Sequence, residues 1–298
     1  MGIKGALMGA ARKFTPKITP NPAPRGDLIP ATPRGGDRRR TARDESADWR
    51  VNPRSYGFLG IEFDPLTPLQ VLERCRGVTT AHAFRYLATP NVDHVVRHHR
   101  DPDTFAPLYR DAWLCVCDSR VLELLAQGSG LPLQAVPGST LTQTLFDTTI
   151  EPDEPVNIIG GDAELAEELR RLYGLERLHQ HIPPMGLRQK PDAVAACAAW
   201  VAAHPARFTL ICVGSPQQEM VAQACARRGD CAGLGLCVGA SLEFVTGRTK
   251  RAPEWVQTLR LEWLHRLASE PGRLWKRYLV EGPRVFAIWL GWLVRRRG

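Results

Sequence analysis

No stretch of this 298-residue chain carries the roughly 18–20 consecutive apolar residues that a membrane-spanning helix needs. The longest candidate, residues 285–294, stops after ten residues at Arg295-Arg296-Arg297. It is too short to cross a bilayer and suits a position along an interface. A secretory leader is not expected either, because Met1-Gly2-Ile3-Lys4 is followed by only a few apolar residues before Arg12 and Lys13. The eight cysteines (Cys75, Cys115, Cys117, Cys197, Cys212, Cys225, Cys231 and Cys237) include no Cys-x-x-Cys pair. Several sit in apolar, strand-like runs, so they read as small buried hydrophobes in a reducing cytoplasm, not as disulfides or zinc ligands. There is no Gly-x-Gly-x-x-Gly and no Walker motif, which argues against a dinucleotide cofactor and a P-loop ATPase. No His-Glu-x-x-His occurs, and His94, His98 and His99 lie far in sequence from His179 and His181. The one Asp-x-Asp, Asp101-Pro102-Asp103, follows a helix and reads as a polar turn, so neither a metal nor an organic cofactor is expected. No RNP, zinc-finger or basic-zipper signature accompanies the basic charge, and nucleic acid is not an expected partner.

The net charge of +8 is unevenly spread. Residues 1–54 carry a net charge of about +7, residues 55–245 about −7 and residues 246–298 about +8. An acidic centre with basic ends suits an anionic partner, either phosphates or an anionic lipid surface. Residues 1–54 are rich in Pro, Gly and Arg without periodicity and read as a disordered basic extension.

From residue 55 to 246 apolar strands alternate with helices. Strands are expected at 84–88, 112–117, 156–159, 178–182, 208–213 and 233–238, the first five each followed by a helical stretch and the last by Gly239-Ala240-Ser241. This pattern predicts an α/β, Rossmann-like, mostly parallel sheet with helices on both faces. From 247 onward the chain is helical, basic and rich in Trp, with Trp255, Trp263, Trp275, Trp289 and Trp292, and reads as a C-terminal appendage. Its Arg266, Arg273, Arg277 and Arg284 fall at spacings of 7, 4 and 7, although Pro271-Gly272 and Gly282-Pro283 interrupt a continuous helix. Such a tail reads either as a membrane-surface element or as helices packed on the core with Arg side chains reaching outward.

Polar, Gly- and Pro-containing tripeptides recur where each strand should end, which is where open α/β sheets bind ligands. Gly160-Gly161-Asp162 opens a helix; it either brings backbone amides close to a phosphate or is a tight turn capped by Asp162. Cys117-Asp118-Ser119-Arg120 puts a carboxylate at a strand end, as a base for a hydroxyl or merely as a helix cap. Gly214-Ser215-Pro216-Gln217-Gln218-Glu219 offers amides to a base, ribose or sugar, with Glu219 as an acid in the first helical turn; an ordinary capped turn is the alternative. Arg248-Thr249-Lys250-Arg251 could meet a pyrophosphate or be a solvated charge run.

Taken in order, these motifs resemble the WecG/TagA/CpsF glycosyltransferases (glycosyltransferase family 26) over roughly residues 56–290. The resemblance rests on Thr89-Pro90-Asn91-Val92-Asp93-His94, Asp118-Ser119-Arg120, Gly160-Gly161, Pro183-Pro184-Met185-Gly186, the Gly214–Glu219 segment, Gly239-Ala240-Ser241, Arg251-Ala252-Pro253, Leu261-Glu262-Trp263-Leu264-His265-Arg266 and Glu270-Pro271. It implies an inverting transfer of a sugar (ManNAc, ManNAcA or glucose) from a UDP-sugar to a polyprenyl-diphosphate-linked acceptor in cell-surface polysaccharide synthesis. Asp118 then matches the catalytic base, Thr89 and Asn91 the loop beside it, and Gln218 a glutamine near the donor. Gly160, Gly161 and Glu243 lie in loops facing the nucleotide. Arg266, Arg273 and Lys276 match basic positions of an appendage over the diphosphate. Many members read Pro-Asp-Gly where this chain has Cys117-Asp118-Ser119, and Phe-Asp-Phe where it has Leu242-Glu243-Phe244. The resemblance further implies a peripheral protein on the inner face of the bacterial plasma membrane, and self-association. A catalytically silent nucleotide-sugar-binding or scaffold subunit is the alternative.

Overall fold

The structure is a computed structural model and describes residues 55–249, 262–269 and 271–297. The expected basic extension over 1–54, Arg251-Ala252-Pro253 and Trp255 lie outside the described residues.

A six-stranded sheet forms the centre. Its strands are β3 (Arg85–Ala88), β4 (Leu114–Cys115), β5 (Val156–Gly160), β6 (Leu178–His181), β7 (Phe208–Cys212) and β8 (Leu234–Cys237), in spatial order β4-β3-β8-β7-β5-β6. Every neighbouring pair is parallel. Parallel strands require crossovers, and the crossovers here are helices. Strand side chains alternate between two apolar layers. Tyr86, Ala88, Ile159, Ile211 and Cys237 enter one layer, with α2 (Val92–Arg100), α3 (Pro102–Arg110), α4 (Arg120–Gly128), α7 (Pro191–Ala203) and α8 (Gln217–Arg228). Leu87, Ile158, Leu210 and Leu236 enter the other, with α1 (Pro68–Arg76), α5 (Gly138–Thr148), α6 (Ala163–Tyr173) and α9 (Ser241–Val245). The expected α/β sheet covered on both faces is therefore present.

Local chemistry sets the element ends. Thr67 and Gln70 form a capping box for α1, with Pro68 in its first turn. Asp162 caps α6, accepting from the Leu165 N–H at 2.7 Å. Three features went unread in the sequence. Tyr56–Phe58 (β1) and Ile61–Phe63 (β2) form a small antiparallel hairpin. Asp101-Pro102-Asp103 opens α3, where Asp101 caps the Thr104 N–H at 3.2 Å. The strand expected over 112–117 shortens to two residues, because Cys117 leaves the sheet to bridge Ala135.

The order of the strands creates an opening. From β5 the chain leaves through α6 into one layer, and from neighbouring β7 through α8 into the other. Adjacent strands whose connections diverge in this way define a topological switch point, where open α/β sheets hold ligands.

C-terminal to the sheet, the described chain forms helices Glu262–Ser269 and Pro271–Trp275, a π-helical stretch Lys276–Glu281, and a terminal helix Arg284–Arg297. Gly282-Pro283 interrupts the helical run, as expected. Val285 is buried in the α2/α8 layer with Ile288, Trp289 and Trp292 packed against it. Trp289 Nε1 donates to Ser129 Oγ at 2.8 Å, and Trp292 meets Phe58 edge-on at 5.3 Å.

Candidate active site

The loops after β4, β3, β8, β7 and β5 form a row along the carboxyl edge of the sheet. Starting from the β4 end, the backbone N–H of Asp118 donates to the Pro90 carbonyl at 3.0 Å, which ties the Asp118 loop to Thr89-Pro90-Asn91. Asp118 is half-buried. The cap of α4 is Ser119, whose Oγ accepts from the Leu122 N–H at 3.3 Å. The helix-cap alternative for this motif therefore falls on Ser119 and not on Asp118.

Thr89 is buried, and its hydroxyl donates to the Cys237 carbonyl at 3.1 Å, joining the ends of β3 and β8. Asn91 caps α2: its Oδ1 accepts from the Asp93 N–H at 3.1 Å, and its own N–H lies 3.0 Å from His94 Nδ1. One loop further along, Gln218 is 4% exposed. Its Oε1 accepts from the Gly239 N–H at 2.9 Å and its Nε2 donates to Glu219 Oε1 at 2.8 Å. Gln218 thus pins the turn after β8 to the start of α8. Glu243, half-buried on α9, stands near Cys212; burial first, and that carboxylate second, push the Cys212 thiol up to about 12.

At the switch point, Gly160 (φ +99°) and Gly161 (φ +71°) both adopt left-handed backbone. A Cβ on Gly160 would meet Val213 at 2.9 Å, and one on Gly161 would meet Leu165 at 2.5 Å. Gln180 Nε2 donates to the carbonyls of Gly160 and Asp162, both at 2.9 Å, and so fixes the turn from the β6 side. Arg248 closes the far side, bonding Asp162 at 2.9 and 3.0 Å and Glu168 at 2.6 Å. Its hydrogen bond holds the Asp162 carboxyl below the usual carboxylate range.

The structure thus brings Asp118, Thr89, Asn91, Gln218, Glu243, Gly160 and Gly161 to one edge of the sheet. Arg266 and Arg273 lie on the helices Glu262–Ser269 and Pro271–Trp275, their side chains outside the described set, and Lys276 is exposed. The residue whose importance the sequence hid is Gln180, whose partners are about twenty positions away; His94, the last residue of the Thr89–His94 motif, supports Asn91 from inside the fold. Among the described residues no group of three or more His, Cys, Asp or Glu side chains is arranged to hold a metal ion.

A doubly wound parallel sheet, with a carboxylate and glycine turns along its carboxyl edge, defines an α/β protein whose chemistry sits in its strand-end loops. The family model described as "Glycosyl transferase WecG/TagA/CpsF family" matches residues 56–298, and the chain belongs to that family. It is accordingly a glycosyltransferase by family, with cell-surface polysaccharide synthesis as the setting and a nucleotide-sugar donor and a lipid-linked acceptor implied.

Proposed function

We propose that the protein transfers a sugar, with inversion, from a UDP-sugar of the ManNAc, ManNAcA or glucose type to a hydroxyl of a polyprenyl-diphosphate-linked acceptor. The carrying observation is the position of Asp118: half-buried at the carboxyl edge, anchored to Pro90 through its backbone, and relieved of helix capping by Ser119. In this reading the acceptor oxygen attacks the anomeric carbon, its proton passes to the Asp118 carboxylate, and the bond from that carbon to UDP breaks. Thr89 and Asn91 shape the loop beside the base. The turn at Gly160-Gly161, with Gln218 and Glu243, lines the nucleotide crevice, and Arg266, Arg273 and Lys276 meet the diphosphate and offset the charge of the leaving UDP. The reaction runs without a divalent ion in this reading, since the one Asp-x-Asp is engaged elsewhere: Asp101 caps α3 and pairs with Arg188 at 2.7 Å.

The reading divides the chain into a basic extension over 1–54, a catalytic domain over 55–246 and a membrane-associating appendage over 247–298. Phe286, Leu290 and Val294, spaced four apart on the terminal helix, are 49%, 56% and 72% exposed beside Arg295 and Arg296. A stripe of this kind supports peripheral attachment to the inner face of the plasma membrane. Self-association belongs to the same proposal. The alternative, a silent nucleotide-sugar-binding subunit, predicts UDP-sugar binding without turnover.

The deciding experiment measures UDP release from a panel of UDP-sugars with a short-chain lipid-diphosphate acceptor, for the parent and for Asp118→Asn. Loss of a general base costs about 10²–10⁴ in kcat. A variant within about tenfold of the parent rejects Asp118 as the base.

A further inference from the structure

Glu219 follows the site glutamine but faces inward, and it is 1% exposed. A carboxylate this deeply buried is costly unless the fold uses it. Its Oε1 accepts from Gln218 Nε2 at 2.8 Å and lies 4.0 Å from His94 Nε2. The Ser215 hydroxyl lies beside both the Glu219 carboxyl and the Tyr109 hydroxyl, and all three groups are buried. Arg97, from α2, donates to the Ser215 carbonyl at 3.0 Å. Tyr109 meets the His94 ring edge-on at 6.4 Å.

Two lines of contact leave this carboxylate and end in different loops of the candidate site. Through Gln218, whose Oε1 holds the Gly239 N–H, it reaches the turn after β8. Through His94 it reaches Asn91, since His94 Nδ1 lies 3.0 Å from the Asn91 N–H and 2.8 Å from Asn91 Oδ1. The carboxylate faces Nε2 at 4.0 Å and so orients the ring, whose Nδ1 meets both the N–H and the Oδ1 of Asn91 at the capping box of α2. Gln218 is likewise oriented by this carboxylate: its nitrogen turns to Glu219 and its oxygen to Gly239. One buried side chain therefore sets the two loops, after β3 and after β8, that Thr89 joins through its bond to Cys237.

We propose that Glu219 is a positioning residue for the transfer reaction, holding the Asn91 loop and the Gly239 turn in register with Asp118 by orienting His94 and Gln218. The proposal rests on the glycosyl-transfer reading given above. Glu219 touches no substrate; it acts through these two neighbours. Misplacing a reacting group by about 1 Å costs roughly 10² in rate. The raised pKa of Glu219, which burial dominates, is consistent with a carboxyl shielded from water.

The test compares Glu219→Ala, Glu219→Gln, Gln218→Ala and the double Gln218→Ala/Glu219→Ala variant. UDP release gives kcat and the donor KM. Hydrogen exchange over residues 89–95 and 238–242, and ¹⁵N spectra of the His94 ring, report the geometry without substrate. Glu219→Ala should lose about 10²-fold in kcat with the donor KM within about threefold, and the Gly239 amide should exchange faster. Glu219→Gln, whose amide oxygen still accepts from Gln218, should recover to within about tenfold. The double variant should be no slower than the slower single variant, because the two residues act as one unit. If the alanine variant does not fold, Glu219→Asp replaces it, withdrawing the carboxylate by one methylene. A folded Glu219→Ala protein with kcat within about threefold of the parent, or with unchanged Gly239 exchange and His94 spectra, overturns the proposal. A parent that transfers no sugar sinks the functional reading instead, while the exchange and ring-nitrogen measurements still decide the geometry.

Discussion

Asp118 and Ser119 are neighbours with separable duties, and each substitution should move a different observable. Removing the Ser119 hydroxyl strips the first turn of α4 of its side-chain acceptor. Ser119→Ala should cost about 1 kcal/mol, lowering Tm by about 2–4 °C, with kcat close to that of the parent. Asp118→Asn should do the reverse, leaving Tm nearly unchanged and removing most turnover, as differential scanning and the UDP-release assay can show together. A Ser119→Ala protein that melts like the parent would mean that the observed cap contributes nothing. The carboxylate at the strand end was legible in the sequence because a polar triplet interrupts an apolar run. The division of labour between its two members was not, since either side chain has the chemistry of a cap.

At the scale of elements, the turn from β5 to α6 is held by packing as much as by backbone freedom. Gly161→Ala places a methyl 2.5 Å from Leu165 at a φ of +71°. It should destabilise the protein by about 1–3 kcal/mol, read by urea denaturation. A variant as stable as the parent would show that Leu165 yields freely. The parallel sheet was legible because its strands are short apolar runs separated by helical periods. The β1–β2 hairpin was not: each strand is three residues long, and its turn passes through Leu59 at φ 51° and Gly60 at φ 82°. The α3 helix was hidden by Pro107 in its interior, a residue that argues against helix locally, whereas Pro102 sits in the first turn, where proline is tolerated. Gln180 was not legible, and Glu219 read as a first-turn acid and not as a buried one, because their partners are supplied by tertiary packing, which no spacing rule encodes.

At the scale of the whole molecule, the terminal helix presents two faces with different expected effects. Phe286→Ser/Leu290→Ser/Val294→Ser changes only exposed positions and should abolish sedimentation with anionic vesicles while leaving Tm close to that of the parent. Retained vesicle binding would detach this stripe from membrane association. The protein should also lose stability in mild acid. Burial, and then a neighbouring histidine, lower the pKa values of His98, His179 and His181 below the ordinary imidazole value of about 6.5. Groups held neutral in this way contribute stability that is present above that value and drains as pH falls through their lowered folded values. The urea midpoint should therefore be lower at pH 5 than at pH 7.5, and His98→Gln should flatten the slope; an unchanged slope would remove His98 from the account.

The divergence of α6 and α8 from neighbouring strands has a thermodynamic corollary. A nucleotide lodged between β5 and β7 would rest against both apolar layers at once, since one flanking helix belongs to each. Its occupancy would then be felt by the molecule as a unit: saturation should shift one cooperative melting transition upward by an amount that grows with the logarithm of ligand concentration, without splitting it into two.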